Sequence, residues 1–279
     1  MKKLFKRSDD QAEMSFVEHL EALRWHIVRS VVAVLIGAIA IFANMDLVFD
    51  RIIMGPAHND FITYKILCSL SHKIGLGDAM CMDDIKLQLI STQMSAQFMM
   101  SFAVAFSGGF VIAFPYVIWE FWRFVKPALS NNERRKTKGV IFWVSLLFFF
   151  GVAFGYFIIT PYTINFFASF TLSDLITNNF TVSDYVGNIT QLVLGTGIVF
   201  QLPLVVFFLS KVGILTPEFL RVNRKYAIVV ILIVAAVITP PDVVSQLIVT
   251  GPLWLLYEIS IGISGRVTRN LEKKEEEWS

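Results

Sequence analysis

Residues 139–160 read Gly139-Val-Ile-Phe-Trp-Val-Ser-Leu-Leu-Phe-Phe-Phe-Gly-Val-Ala-Phe-Gly-Tyr-Phe-Ile-Ile-Thr160, without one charged side chain. At about 1.5 Å per residue, a helix over this run reaches about 33 Å, enough to cross a hydrocarbon core of about 30 Å. The run does not alternate polar with apolar, which a membrane β-strand would require. Five further apolar runs lie at 27–45, 94–119, 187–210, 226–239 and 245–263. The run 226–239 gives only about 21 Å of helix. It must borrow flanking residues, or the bilayer must thin around it.

Composition agrees with those runs. Of 279 residues 55% are hydrophobic and 16% charged, with a mean hydropathy of +0.63. A soluble domain carries about 25% charge, so there is too little polar surface here for one. The sequence therefore predicts an all-α polytopic membrane protein with six transmembrane helices. It excludes an ordinary soluble enzyme, a disordered chain and a disulfide-dense secreted module. Met1–Arg7 is basic, but Asp9, Asp10 and Glu13 follow and no apolar run begins until Ile27. That is not a cleavable signal peptide.

Net charge, +2, says little; its distribution says more. Twenty of the 24 Lys and Arg fall in the N-terminal segment up to Arg29, in 121–138, in 211–225 and after residue 264. The other four, Arg51, Lys65, Lys73 and Lys86, fall in the intervening loops. By the positive-inside rule both termini are cytoplasmic. Residues 1–26 form a cytoplasmic tail and amphipathic helix, 27–263 the membrane domain, and 264–279 a charged cytoplasmic tail. The external loops are 46–93, 161–186 and 240–244. Trp25, Trp119, Trp122 and Trp143 flank the inner ends of the spans, as an aromatic belt does. Cys68 and Cys81 share the first external loop, where they either pair or stay as two free thiols.

Chemistry is sparse. There is no phosphate loop of the GxxxxGK[ST] type, no HExxH zinc helix and no GxSxG elbow. The four histidines lack metal spacing. No catalytic residue, cofactor, metal or nucleic-acid partner is expected. The deepest polar residues are Gln201, Gln246 and Glu258, with Asp242 after Pro240-Pro241. Asp242 reads first as a helix cap, and an intramembrane ionisable group is otherwise a candidate for function. Thr216-Pro217-Glu218 reads as cap, first position and first-turn acid of a short helix. Gly151-x-x-x-Gly155 permits close helix packing, and Gly108-Gly109, Pro115 and Pro203 predict kinks.

Two cytoplasmic motifs stand out. Ser15-Phe-Val-Glu18 fits a capping box. Behind it Phe16, Leu20, Leu23 and Ile27 line one helical face, with Glu18 and Glu21 away from it. A solvated helix with a Glu21–Arg24 pair is the plain explanation. In Phe124-Val-Lys-Pro-Ala-Leu-Ser-Asn-Asn-Glu133-Arg-Arg-Lys, Glu133 is the one acid between Arg123 and Lys138; it can simply offset its basic neighbours.

Together these segments resemble the TatC family, the signal-recognition subunit of the twin-arginine protein translocase. The resemblance rests on Phe16-x-x-His19-Leu20-x-x-Leu23-Arg24, then on Phe124-Val-x-Pro127-Ala128-Leu129-x-x-x-Glu133-Arg134-Arg135. It continues through Phe154-Gly-Tyr-Phe157-x-x-x-Pro161, Phe200-Gln201-Leu202-Pro203 and Thr239-Pro240-Pro241-Asp242-x-x-Ser245-Gln246, followed by Pro252 and Tyr257-Glu258. It implies a concave, glove-like bundle of six helices in the bacterial inner membrane, acting in several copies. It also implies TatA and TatB single-span partners, folded cargo bearing twin-arginine signal peptides, and a proton gradient as driving force. Glu133, Glu18, Glu21, His19, Arg24, Phe124, Pro127, Leu129 and Arg134 are the signal-binding residues it points to. The sequence departs from the family twice. The glutamate of its His-Leu-x-Glu-Leu-Arg motif is Ala22 here, so Glu18, one turn back on the same stripe, or less favourably Glu21, must supply the charge. Gln201 stands where many members carry an intramembrane glutamate. The alternative from another class is a small-solute secondary transporter, which would show an inverted repeat and midplane charge.

Overall fold

The computed structural model describes residues 16–75, 88–125, 137–173, 178–239 and 243–276. Their order is α1 (Phe16–Ala43), α2 (Met45–Val48), α3 (Ile62–Ile74), β1 (Leu89–Ile90), α4 (Ala96–Val125), α5 (Thr137–Phe154), α6 (Thr160–Ser169), β2 (Phe180–Thr181), α7 (Val182–Val199), α8 (Leu202–Lys211), α9 (Pro217–Val222), α10 (Arg224–Ile238) and α11 (Val243–Glu276). Among the described residues, five helical stretches are long and apolar enough to cross a membrane: Glu21–Ala43, Ala96–Val125, Gly139–Ser169, Val182–Lys211 and Val243–Asn270. The chain is thus a multi-pass membrane protein. The remaining apolar run forms α10, whose 15 residues give about 22 Å of helix.

Helix α4 runs the length of α1. At their crossing, a Cβ on Gly109 would stand 2.5 Å from the Ala38 nitrogen and 2.8 Å from the Val34 carbonyl oxygen. Gly37 meets Gly109 from the other side, so the two backbones touch where neither residue has a side chain. Phe42 stacks on Phe102 farther along the pair. The Gly151–Gly155 stripe packs inside the molecule, facing Thr196, Phe200 and Leu192 of α7 and the turn after it. Fully buried Phe148 on α5 lies parallel to Phe114 of α4, ring centroids 3.5 Å apart. A second core joins α7, α8, α10 and α11 around Leu192, Phe200, Ile231, Val249 and Leu253.

Prolines punctuate the long helices. Pro161 has no N–H for the Phe157 carbonyl four residues back. A π-turn, Gly155–Ile159, precedes it. The Phe157 oxygen instead accepts from the Thr63 hydroxyl at 2.5 Å, from the segment after α1. Pro203 sits in the first turn of α8, where a missing N–H costs nothing; the chain breaks at Phe200–Gln201 just before it. Pro115 lies inside α4, which continues through it.

The segment 45–75 folds over one end of the bundle. Tyrosine hydroxyls donate to its carbonyls: Tyr156 to Ile52 at 2.6 Å, Tyr185 to Ile53 at 2.9 Å and Tyr64 to Pro56 at 2.8 Å. Burial raises the pKa of Tyr64, so its hydroxyl stays a donor. Gly75 ends α3 at φ 81°, a left-handed conformation that glycine adopts without strain. Parallel pairing of β1 with β2 ties this region to the segment that joins α6 to α7. Cys68 on α3 is disulfide-bonded; Cys81 lies outside the described residues.

Candidate functional site

The ends of α1 and α4 that carry most of the basic residues are bound together by a buried carboxylate. Glu120 on α4 has its side chain 1% exposed. Its Oε2 is 2.5 Å from His26 Nδ1 on α1. Its Oε1 accepts from the Tyr116 hydroxyl at 3.1 Å and from Arg123 Nη1 at 3.1 Å. Tyr116, Glu120 and Arg123 stand at i, i+4 and i+7, one stripe of a helix. The Arg123 guanidinium lies over Trp119, 5.0 Å from the ring centroid, and the Phe124 ring meets His26 edge to face. A carboxylate at this depth is tolerable because donors satisfy both of its oxygens.

This cluster was not singled out from the sequence. The apolar run of span two ends at Trp119, so Glu120 reads as the first residue of a cytoplasmic loop. The helix in fact continues to Val125. The i, i+4, i+7 spacing of Tyr116, Glu120 and Arg123 was the signal that could have found it.

Among the residues the sequence does single out, Glu21 and Arg24 are exposed on α1, Glu21 five residues and Arg24 two residues before His26. Glu18 and His19 lie in the first turns of the same helix. Phe124 is half-buried at the end of α4. Pro127, Leu129, Glu133 and Arg134, in the segment that joins α4 to α5, lie outside the described residues, as does Asp242.

The inner polar residues are bonded for the most part. Gln201, in the break between α7 and α8, donates from Nε2 to the Val144 carbonyl at 3.3 Å, while its buried Oε1 has no partner. Gln246 donates to the Leu232 carbonyl at 3.1 Å, joining α11 to α10. Glu258 accepts from Arg224 Nη2 at 2.8 Å, so this acid is paired at the first turn of α10 rather than standing alone. Next to it the Tyr257 hydroxyl donates to the Leu220 carbonyl at 2.7 Å. Thr216 caps α9 as expected, accepting from the Phe219 amide at 3.2 Å. Among the described residues, no group of three or more His, Cys, Asp or Glu gathers to hold a metal.

A helical bundle with a carboxylate latch at its basic end does not by itself name a family. The family described as Sec-independent protein translocase protein (TatC) matches residues 18–252. The chain belongs to the TatC family. A TatC protein of Blattabacterium from Periplaneta americana is 40% identical over 94% of this chain and 98% of its own length. One of Halalkalibacterium halodurans is 35% identical over 95% of each. Two crystal structures titled as the twin-arginine translocase receptor TatC superpose with TM-scores of 0.66 and 0.70. They are 31% and 32% identical, covering 90% and 88% of this chain and 100% and 99% of theirs. Membership in a protein translocase family makes this chain a component of the twin-arginine translocase, a transport role that the resemblance in the sequence had implied. It does not favour the small-solute transporter.

Proposed function

We propose that this TatC-family chain is the receptor subunit that binds twin-arginine signal peptides at the cytoplasmic face of the bacterial inner membrane. It crosses the membrane six times as a concave, glove-like bundle, α10 being the short fifth span, with both termini inside. Residues 1–26 and 264–279 are cytoplasmic and 27–263 form the membrane domain. The inner rim is cationic and repels a cationic ligand except where acids are placed. Glu133, with Glu18 or Glu21 in place of the acid missing at Ala22, receives the arginine doublet; His19, Arg24, Phe124, Pro127, Leu129 and Arg134 frame the site. Arginine suits it because a planar, permanently charged fork engages carboxylates at two points. Each charge-assisted hydrogen bond contributes roughly 1.5–3 kcal/mol, reduced by exposure. The apolar part of the signal then lies along a groove between spans.

The observation that carries this reading is the joint between α1 and α4. Glu18 and Glu21 ride on α1, and α4 leads directly into the segment that holds Glu133. The His26–Glu120 bond fixes the inner ends of those two helices together. Gln201 is an amide, less costly to bury than a carboxylate, so no proton-linked role is assigned to it. Asp242 caps the last span, Cys68 pairs with Cys81, and the last two spans recruit TatA and TatB. The assembly holds several copies and uses the proton gradient.

Two experiments test this. Glu133→Gln should abolish crosslinking of a labelled twin-arginine peptide to protein that still inserts, and a twin-lysine peptide should bind wild type at least tenfold more weakly. The same crosslinking on Glu18→Gln and Glu21→Gln, made separately, identifies which acid stands in for Ala22. Undiminished crosslinking in Glu133→Gln removes that residue from the site. Short α10 also implies locally thin lipid that eases passage. Four leucines inserted into α10 should therefore impair export without preventing insertion.

A further inference from the structure

A groove of about 750 Å³ opens between α5, α8 and α11. Its walls are apolar, among them Val140, Trp143, Leu204, Phe207 and Ile259, and among the described residues the one charged lining residue is Arg266. The helices run so that the start of α5 and the ends of α8 and α11 meet at the same end of the groove. Arg266 stands there, exposed, one turn beyond the last apolar lining residue of α11. Lys211, the last residue of α8, places its ammonium 6.0 Å from the centroid of the Phe207 ring. Two cations from different helices thus frame one end of an otherwise apolar trough. The trough follows α5 from Gly139 to Phe150, about 16 Å at 1.5 Å per residue. That is the depth of one leaflet, half of about 30 Å.

We infer that this groove binds a phospholipid with an anionic headgroup. An acyl chain lies along the trough, and the phosphate meets Arg266 and Lys211 at its mouth. Charge and size separate this occupant from the others. A twin-arginine signal would bring its guanidinium pair to the end that already carries two cations. A partner's transmembrane helix would extend through both leaflets, about 30 Å, roughly twice the length of the trough. A single chain hanging from one headgroup region matches the depth, the apolar lining and the charge at the mouth.

The full-length protein in nanodiscs, with photoactivatable phosphatidylglycerol or phosphatidylcholine of identical chains, decides the matter. Phosphatidylglycerol should label α5, α8 and α11 peptides at least fivefold more than phosphatidylcholine. The Arg266→Gln, Lys211→Gln double variant should erase that preference while phosphatidylcholine labelling stays as it was. Gly139→Leu tests the trough itself. A Cβ there meets nothing within 4 Å, so the added side chain narrows the mouth without disturbing packing and should lower labelling by both lipids. Equal labelling by the two lipids, a preference that survives the double variant, or labelling unchanged in Gly139→Leu overturns the proposal. So does a twin-arginine peptide that displaces the lipid and crosslinks to Trp143, since the groove would then be the signal's. Loss of peptide binding in Glu133→Gln with lipid labelling intact would leave the two sites distinct.

Discussion

Gly109→Ala will lower the melting temperature of the purified protein by about 6–12 °C, and Gly109→Leu will prevent its accumulation in the membrane. Alanine adds one methyl group, which in an open helical position stabilises by roughly 0.5–1 kcal/mol. At Gly109 that methyl would stand 2.5 Å from the Ala38 nitrogen and 2.8 Å from the Val34 oxygen. Both are backbone atoms of α1, so no rotamer change can relieve the collision, and the two helices must move apart along their shared length. That separation loses the Phe42–Phe102 stack and loosens the His26–Glu120 contact at the far end. Overpacking alone costs about 1–3 kcal/mol; with the lost contacts about 3 kcal/mol is expected, at roughly 2–4 °C per kcal/mol for a chain of this size. Gly187→Ala is the control. A Cβ there meets nothing within 4 Å, so the same substitution should leave the melting temperature equal or slightly raised. If the two variants melt together, backbone contact at Gly109 is not what holds α1 to α4.

That crossing also marks where the sequence was legible. Run length and hydropathy are enough to place long membrane helices, because a bilayer demands helical hydrogen bonding of every residue it covers. The Gly151–Gly155 stripe was readable as close packing, since only small residues let two backbones touch. Its partner was not, because Thr196 and Phe200 carry no local mark of facing it. Segment 45–75 was opaque for a related reason. The acceptors of Tyr64, Tyr156 and Tyr185 are backbone carbonyls, identical at every residue and invisible in a sequence. Pattern is equally silent on Glu258, which meets Arg224, 34 positions away, at 2.8 Å. Hydropathy counted Glu120 as loop because it ends an apolar run. Its burial depends on His26, 94 residues earlier, a distance over which pattern carries no information.

Glu120→Ala will be the most damaging single change at the basic end of the bundle, costing about 3 kcal/mol. Removing the carboxylate leaves His26 Nδ1 and the Tyr116 hydroxyl without their shared acceptor and opens a void between α1 and α4. Arg123 suffers less, because its side chain is 44% exposed and can turn to water or headgroups. Glu120→Gln keeps the shape: its carbonyl oxygen still accepts from Tyr116 or Arg123, and its amide can donate to a neutral His26. It should cost no more than about 1 kcal/mol, in line with a single hydrogen bond. His26→Ala falls between, since Glu120 keeps Tyr116 and Arg123. Thermal melts of the three variants should therefore rank Glu120→Ala lowest, then His26→Ala, then Glu120→Gln. The double variant Glu120→Ala, His26→Ala should melt close to Glu120→Ala alone, because both changes break one contact. Fully additive losses would mean that the two side chains act independently, and that some other contact joins the ends of α1 and α4. Peptide crosslinking supplies the functional half. If the acids of α1 and of the segment after α4 form one receptor, Glu120→Ala should weaken twin-arginine binding while Glu120→Gln preserves it. A variant that melts early yet binds the peptide normally would show that the latch serves stability alone.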